Sequence, residues 1–592
     1  GYGILKYIAS QDEPDLSLEL KPEIIFNYLG EFSKSNEKDG IEIVDYDYGQ
    51  TVSENQNINH VLEINMMEAD GILQLSIVYD SNEIECVKIK ELVDLFENNI
   101  NLISEYCCAK EQTVLTPADF HNESITVKEL SRILAKHSGN IEKIMDMTPM
   151  QYGMLFDYRL NEDSQSYFEQ VVLHLKGKVD KEILKASFQY IIQKNEALRT
   201  CFEYKEFEKP LQIVLKEFNM DFSYMDMENE GEQDQILHRF YEKDRSHKFD
   251  LCDQVPMRMT LIRVSKDEYR LVWSFHHILM DGWCIDLLVK DIADCYMHLL
   301  EGKECKEPIS INCQEYQNWL AEQDRGAMLN YWENYLKGFS EIVNTGKVKS
   351  DTSQVIDRKE LNFTIQGPCK KGLDDICQNE NITLANLMQA AWAIILSKYF
   401  DLKDIVFGII VSGRNANVTN IDSMVGLFIN TLPLRVQVEK SSTILEVAAK
   451  IKEDVERHNQ NAAITLSEIQ SAAEMSGELF DNIFSFENYA NYDRFRERLI
   501  GERLGFKLDG VEEFEQTSFN LTIVVEPLDN EIRVKVIYNA ITCNESFVDE
   551  VEHFMNKLLE QIVKDKQIPI LEMKMFNENE IGEIVDDFME DL

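Results

Sequence analysis

Between Tyr269 and Phe275, Leu271, Trp273 and Phe275 alternate with Val272 and Ser274 in a run rich in β-formers. A period of two sends successive side chains to opposite faces, and so much apolar content predicts a buried strand. From Cys284 the period changes. Ile285, Leu288, Ile292 and Cys295 recur at spacings of three and four, as on one face of a helix, and Gly302 closes the segment. The same helical period predicts a helix from Lys181, with Leu184, Phe188 and Ile191 on one side. Another opens at Thr443, where Glu446 three residues on completes a capping box ahead of Val447, Ile451 and Val455. Near the start, LEINMM (Leu62 to Met67) and ILQLSIVY (Ile72 to Tyr79) read as strands, followed by a helix through Val93, Phe96 and Ile100.

Breaks in these patterns divide the chain. Residues 1–120 form one segment, 121–143 a polar linker carrying a short helix near Leu130 to Leu134, and 144–575 the main domain, with lobes at about 144–305 and 306–575. The acidic tail, 576–592, reads as the start of a further linker. No internal repeat of short period appears.

Composition narrows the classes. At 592 residues and 44% hydrophobic content, the chain is long enough for several folded lobes and too apolar for disorder. A formal charge of −47, from 59 Lys and Arg against 106 Asp and Glu, repels a phosphate backbone and speaks against nucleic acid. Twelve scattered cysteines include the neighbours Cys107 and Cys108 but no CxxC pair, which favours a reducing compartment over disulfides or structural zinc. No apolar run has membrane length and no signal peptide opens the chain, so a cytoplasmic location is expected.

The candidate chemistry sits where strand gives way to helix. His276 and His277 leave the strand, and Asp281 and Gly282 follow after Ile278, Leu279 and Met280, giving HHILMDG. Strand, tight loop and helix together aim a side chain into a cleft. Asp281, near a helix start, can accept backbone N–H bonds or pair with an arginine. Gly282 can adopt a backbone angle closed to other residues or let a substrate come close to the main chain. A pair of adjacent histidines alone would more often be a satisfied core pair than a site. A metal centre is not expected, because no third His, Cys or carboxylate stands at a ligand-like spacing.

HHILMDG resembles the HHxxxDG motif of condensation domains of nonribosomal peptide synthetases, relatives of chloramphenicol acetyltransferase. Further blocks follow the family's order: MTPMQYGMLF (Met147 to Phe156), NEALRT (Asn195 to Thr200), FDLCDQVPMRMTLIRV (Phe249 to Val264), DIVFGIIVSGR (Asp404 to Arg414), MVGLFINTLPLRV (Met424 to Val436) and LFDNIFSFENY (Leu479 to Tyr489). The resemblance covers about residues 144–575. It implies an α/β (α+β) architecture, a chloramphenicol acetyltransferase-like pseudodimer of two lobes set as a V around a central tunnel, with the histidines at its middle. Segments near 411–426 and 486–519 would be the elements crossing between lobes, their mobility gating the tunnel. His277 would orient the attacking amine and accept its proton, with backbone N–H groups near Gly282 steadying the oxyanion. His276 and Asp281 would be scaffold, Asp281 pairing with Arg414 or its rival Arg199, while Met280, Trp283 and Ser412 would line the tunnel. Two positions depart from the family: Asn195 where a histidine is common, and Tyr152 where glutamate is common.

The first segment resembles the closing third of an epimerization domain, in the blocks GYGILKY, PEIIFNYLG (Pro22 to Gly30) and LTPADF (Leu115 to Phe120). Such a neighbour implies a D-ended donor joined to an L-aminoacyl acceptor. Both reactants would arrive on 4'-phosphopantetheine arms of upstream and downstream carrier domains, with an adenylation domain following and no cofactor bound directly. Neither an adenylation signature nor a carrier LGGxS site occurs in the chain. Two other classes are a stand-alone acyltransferase acting on a soluble acceptor and a non-catalytic carrier-recruitment platform. The second is disfavoured by the presence of His277 and Gly282. A heterocyclising domain, which would carry aspartates in place of the histidines, is excluded.

Overall fold

A computed structural model describes residues 22–32, 60–69, 71–110, 114–122, 124–160, 166–205, 207, 209–305, 313–346, 357–473, 477–488 and 504–576. The chain divides into two compact units, Gly1–Leu115 and Thr116–Leu592. The opening block GYGILKY and the acidic tail from Asn577 lie outside the described residues, as does Tyr489 at the end of its block.

In the first unit, strands β1 (Ile24–Phe32), β2 (Leu62–Ala69) and β3 (Ile72–Tyr79) form a sheet in that order. β1 runs parallel to β2, and β2 antiparallel to β3. PEIIFNYLG supplies β1, the two alternating runs supply β2 and β3, and helix Cys86–Cys108 carries Val93, Phe96 and Ile100 as expected.

The second unit starts earlier than its sequence suggests. LTPADF, expected to close the first segment, instead contributes the 3-10 turn Pro117–Phe120 with Phe120 buried. The expected linker packs as part of the same unit. Thr126 caps helix Val127–Lys136 in a capping box with Glu129, and Leu130 and Ile133 are buried on its inner side. β4 (Ile141–Asp146) then pairs with β7 (Leu211–Leu215), which pairs with β6 (Thr200–Glu203) in a small sheet.

Two larger sheets frame the centre. One has the order β15-β5-β10-β9-β8, formed by β15 (Phe506–Glu515), β5 (Phe168–Gly177), β10 (Glu268–His276), β9 (Met257–Ser265) and β8 (Phe222–Asp226). Because β15 comes from the expected second lobe, the first lobe's sheet is completed by a crossing strand that falls inside the segment 486–519. β10 is buried on both faces. Leu271, Trp273 and Phe275 join the main core with helices Lys181–Lys194 and Trp283–Leu300, while Val272 packs with Ile262 beneath Leu237 and Tyr241 of helix Gln233–Ser246. Gly302, at φ +70°, ends the helix that follows the histidine loop.

The second sheet runs β11-β17-β16-β14-β12-β13, formed by β11 (Arg358–Gln366), β17 (Glu531–Asn539), β16 (Leu521–Pro527), β14 (Asn482–Phe486), β12 (Asp404–Val411) and β13 (Asn430–Gln437). Helices Leu384–Phe400, Ile444–Gln460 and Glu545–Lys564 pack with it in one core. Residues 386–396 of the first are all buried, Asn386 and Gln389 among otherwise apolar side chains, so this helix is enclosed on every side rather than along a stripe. The Thr443 capping box opens helix Ile444–Gln460 as its sequence predicts. Among the described residues no helix is long and apolar enough to cross a membrane.

Candidate active site

β10 delivers the histidines, and its neighbours hold them in register. The His276 N–H donates to the Pro256 carbonyl at 3.0 Å and the His277 N–H to the Tyr167 carbonyl at 2.8 Å, so both flanking segments grip the strand's exit. The chain then turns sharply, with Leu279 N–H on the His276 carbonyl and Met280 N–H on that of His277. Alternation along the strand now separates the two rings. His276 points into the protein, 4% exposed, and its Nδ1 accepts the Ile278 N–H at 3.1 Å. Burial, with His277 adjacent, pushes its pKa down to about 3, so the ring is neutral and braces the loop as an acceptor. His277 faces a cavity, and its Nδ1 finds no hydrogen-bond partner among the described residues.

Asp281 and Arg414 form a buried pair, Nη2 to Oδ1 at 3.1 Å, with side chains 1% and 4% exposed. Each is satisfied further. The Phe428 N–H donates to Asp281 Oδ2 at 3.1 Å, and Arg414 Nη1 donates to the carbonyls of Ile421 and Met424 at 2.7 and 2.9 Å. The thiol of Cys284 donates to Asp281 Oδ1 at 3.3 Å, and burial followed by the Asp281 charge pushes that thiol's pKa well up, keeping it a neutral donor. This cluster ties the histidine loop to the second half of the chain. The rival Arg199 lies elsewhere, donating to Glu142 and to the Leu215 carbonyl, both at 2.5 Å. Gly413 sits at φ +63°, where an added Cβ would fall 1.8 Å from the Phe428 carbonyl oxygen. Only glycine admits that approach, which places Arg414 beside Asp281.

Several expectations need correction. Gly282 does not use its conformational freedom: at φ −59° and ψ −25° it has ordinary helical angles, although it does line the cavity. Met280 lines the cavity too, whereas Trp283 and Ser412 do not. Trp283 donates through Nε1 to the Asp422 carbonyl, and the exposed Ser412 accepts from the Arg414 N–H. Asn195, in the place of a common family histidine, is buried and tethers its own helix end by donating to the Ile191 carbonyl at 2.8 Å.

Some site residues escaped the sequence reading. Gln151 of the MTPMQYGMLF block is buried and donates to the Ile278 carbonyl at 3.1 Å, holding the histidine loop from below. The cavity, with about 1400 Å³ of atom-free space including its open mouth, is lined from both large sheets. Met150, Phe275, Ile410, Ile429 and Phe519 supply apolar walls, while Glu169, Glu487, Glu513 and Glu515 stand with Arg358 and Lys535 on the polar side. Glu169 on β5 is directly opposite Glu515 on β15 and next to Phe275 on β10. Ligating atoms of Glu169, Glu515 and His277 all lie within 4.8 Å of one another. No ligand-like spacing along the sequence announces this grouping, because strand register creates it, and its donor set could hold a cation. Burial, then the neighbouring glutamates, raises Glu169 well above the usual carboxylate range and Glu487 to about 8.

Comparison with known proteins agrees with this architecture. The condensation-domain family profile matches residues 141–585. The chain is 31% identical to bacitracin synthase 3 of Bacillus licheniformis over 584 residues, 98% of this chain and 9% of that protein. It is also 31% identical to bacitracin synthase 1 of the same organism over 598 residues, 99% of this chain and 11% of that protein. The chain therefore spans only a small fraction of the length of these relatives. In structure it resembles the starter condensation domain of rhizomide synthetase, with a TM-score of 0.60 at 16% identity over 74% of this chain and 100% of that one. It likewise resembles the X-domain from teicoplanin biosynthesis, with a TM-score of 0.61 at 19% identity over 73% of this chain and 97% of that one. With a family match across three quarters of its length and that family's fold around the histidine loop, the chain belongs to the condensation-domain family.

Proposed function

We propose that the second unit forms amide bonds in nonribosomal peptide assembly, joining a donor thioester to the α-amino group of a carrier-bound aminoacyl thioester. The observation carrying this reading is the division of labour between the histidines: His276 is sealed and structural, while His277 alone opens onto the cavity. The chemistry asks little of a base. An α-amino group with an ordinary pKa of about 7.7 to 8.0 is already roughly one tenth neutral near pH 7. His277 positions that amine and takes a proton as the tetrahedral intermediate forms, then returns it to the departing sulfur. Such positioning and proton transfer contribute on the order of a hundred- to ten-thousandfold. The oxyanion develops near the start of helix Trp283–Leu300, whose backbone N–H groups favour negative charge. Asp281 and Arg414 hold the loop rather than touch the reactants.

The finer features belong to the same proposal. The reactants come on 4'-phosphopantetheine arms of two carrier domains, an adenylation domain acts in the same synthetase, and the first unit is the closing part of an epimerization domain. The block PEIIFNYLG, which supplies β1, supports that last reading. A D-ended donor is then expected. The test loads defined donor and acceptor carriers, with D- and L-ended donors in parallel, and follows product by mass spectrometry. Amide should form from the D-ended donor at least about tenfold faster, and His277→Ala should lose at least a hundredfold in rate with its fold retained. Near-normal product from His277→Ala would refute the base assignment.

A further inference from the structure

Glu169 and Glu515 form an arrangement that folding alone does not favour. Directly opposed like charges on neighbouring strands destabilise a sheet. Oε1 of Glu169 is also buried without a hydrogen-bond partner among the described residues, a further cost. Any β-former would pack there at less expense. Arg358, whose charge acts on Glu169, makes no ion pair with it among the described residues: its guanidinium pairs with Glu360, and its Nε donates to the Glu515 backbone carbonyl at 2.5 Å. The space before the two carboxylates opens onto the cavity beside His277. Like the pair itself, this space suits a cation.

The proton count of the proposed reaction supplies one. Near pH 7 about nine tenths of an α-amino group is ammonium. The overall step is R–NH3⁺ plus R'CO–SR'' giving R'CO–NH–R, R''SH and H⁺. The C–S bond breaks as the C–N bond forms. His277 accounts for one proton, passing it from nitrogen to sulfur. The other must leave before nitrogen can attack: the roughly one tenth that is neutral has already lost it to solvent, and an acceptor in the cavity gives access to the remainder.

We propose that Glu169, faced by Glu515, binds the α-ammonium of the acceptor and takes its first proton, delivering a neutral amine to His277. The proposal rests on the amide-forming reading and adds the group that selects an amine. Burial followed by the charges of Glu515, Glu513 and Glu487, opposed by Arg358, raises the Glu169 pKa, and an ammonium seated beside it favours the ionised form that accepts the proton. Lys535, on β17, is the other cation on this wall, and burial is outweighed there by Glu513, Glu526 and Glu515, so it stays charged and limits the repulsion.

The experiment uses the full 592-residue chain with separately loaded carriers and compares an α-amino acceptor with its α-hydroxy counterpart, at about pH 6.5 and about pH 9. Glu169→Gln should lower the amine-to-hydroxyl rate ratio at the lower pH by about tenfold or more, and the deficit should shrink at the higher pH, where the amine is mostly neutral. Glu515→Gln should shift the same ratio in the same direction, and it decides the matter if Glu169→Gln does not fold. Equal losses with both acceptors, or a deficit independent of pH, would overturn the proposal and leave the amide-forming reading intact. A divalent-ion requirement abolished by chelator and by either substitution would also overturn it, by assigning the carboxylates to a metal. Absence of amide from the unsubstituted chain would remove the underlying reading instead.

Discussion

At the scale of single residues, Asp281 shows how charge and burial combine. Its two oxygens accept from Arg414 and the Phe428 N–H, and its own N–H reaches the Gly426 carbonyl at 3.2 Å. A buried pair is not by itself a gain in stability, but breaking one side strands the other, at a cost of about 3–5 kcal/mol. Asp281→Asn should therefore lower the urea midpoint markedly as well as the rate. Adding Arg414→Met should recover part of that loss, since the cation left behind is then gone, and additive losses in the double-mutant cycle would argue against a coupled pair. His277, by contrast, can be truncated with little effect on folding, because its ring faces the cavity rather than the core.

Elements rather than residues bring the catalytic loop to its partners. The strand β10, the turn and helix Trp283–Leu300 present His277, while the segment after β12 carries Arg414 across to them. Gly413 is the pivot of that second segment. Gly413→Ala keeps every charged group yet forces φ +63° on an L-residue and drives its Cβ into the Phe428 carbonyl. A destabilisation of at least about 1–2 kcal/mol is expected from the backbone alone, with a loss of rate as Phe428 and Arg414 shift together. A crystal structure of the variant with an unmoved Arg414, or unchanged thermal unfolding, would contradict this account. β15 does comparable work on the other side: by joining the first sheet from late in the chain, it sets Glu515 opposite Glu169.

For the whole molecule, two sealed histidines make stability depend on pH. His276 and His458 each have a folded-state pKa of about 3, chiefly through burial. His458 lies in the second core, with the Tyr331 hydroxyl on its Nδ1 at 2.7 Å and the Trp332 ring at 4.7 Å. In the unfolded chain such a ring takes a proton near pH 6.5, whereas the folded chain refuses it until about pH 3. Stability is therefore unaffected above about pH 6.5 and falls as pH drops through that window, by roughly 1.4 kcal/mol per pH unit for each histidine. His458→Gln should make the decline between about pH 6 and 4 shallower by that amount in chemical denaturation. Carboxylate titrations are common to both proteins and cancel in the difference, so identical slopes would refute the claim.

Local order was legible in the sequence wherever neighbours along the chain decide it. The period of β10, the turn into helix Trp283–Leu300, the capping box at Thr443 and the strands Leu62–Ala69 and Ile72–Tyr79 all follow from side-chain spacing and backbone preference. The seven-residue histidine loop was legible for the same reason. What the sequence left open was every choice between distant partners. Family resemblance favours Arg414 over its rival Arg199 as the partner of Asp281, but only folding places the first at 3.1 Å and the other against Glu142. Glu513 and Glu515 alternate along β15 as solvent-facing residues of an edge strand would, and only pairing with β5 turns them toward His277. Trp283 and Ser412 stand beside or within the motifs yet miss the cavity: Trp283 opens a helix, Ser412 lies just past the end of β12, and adjacency in the chain does not fix which way either side chain points. Short-range periodicity is written in one dimension, whereas register between strands hundreds of residues apart is settled by burial and packing.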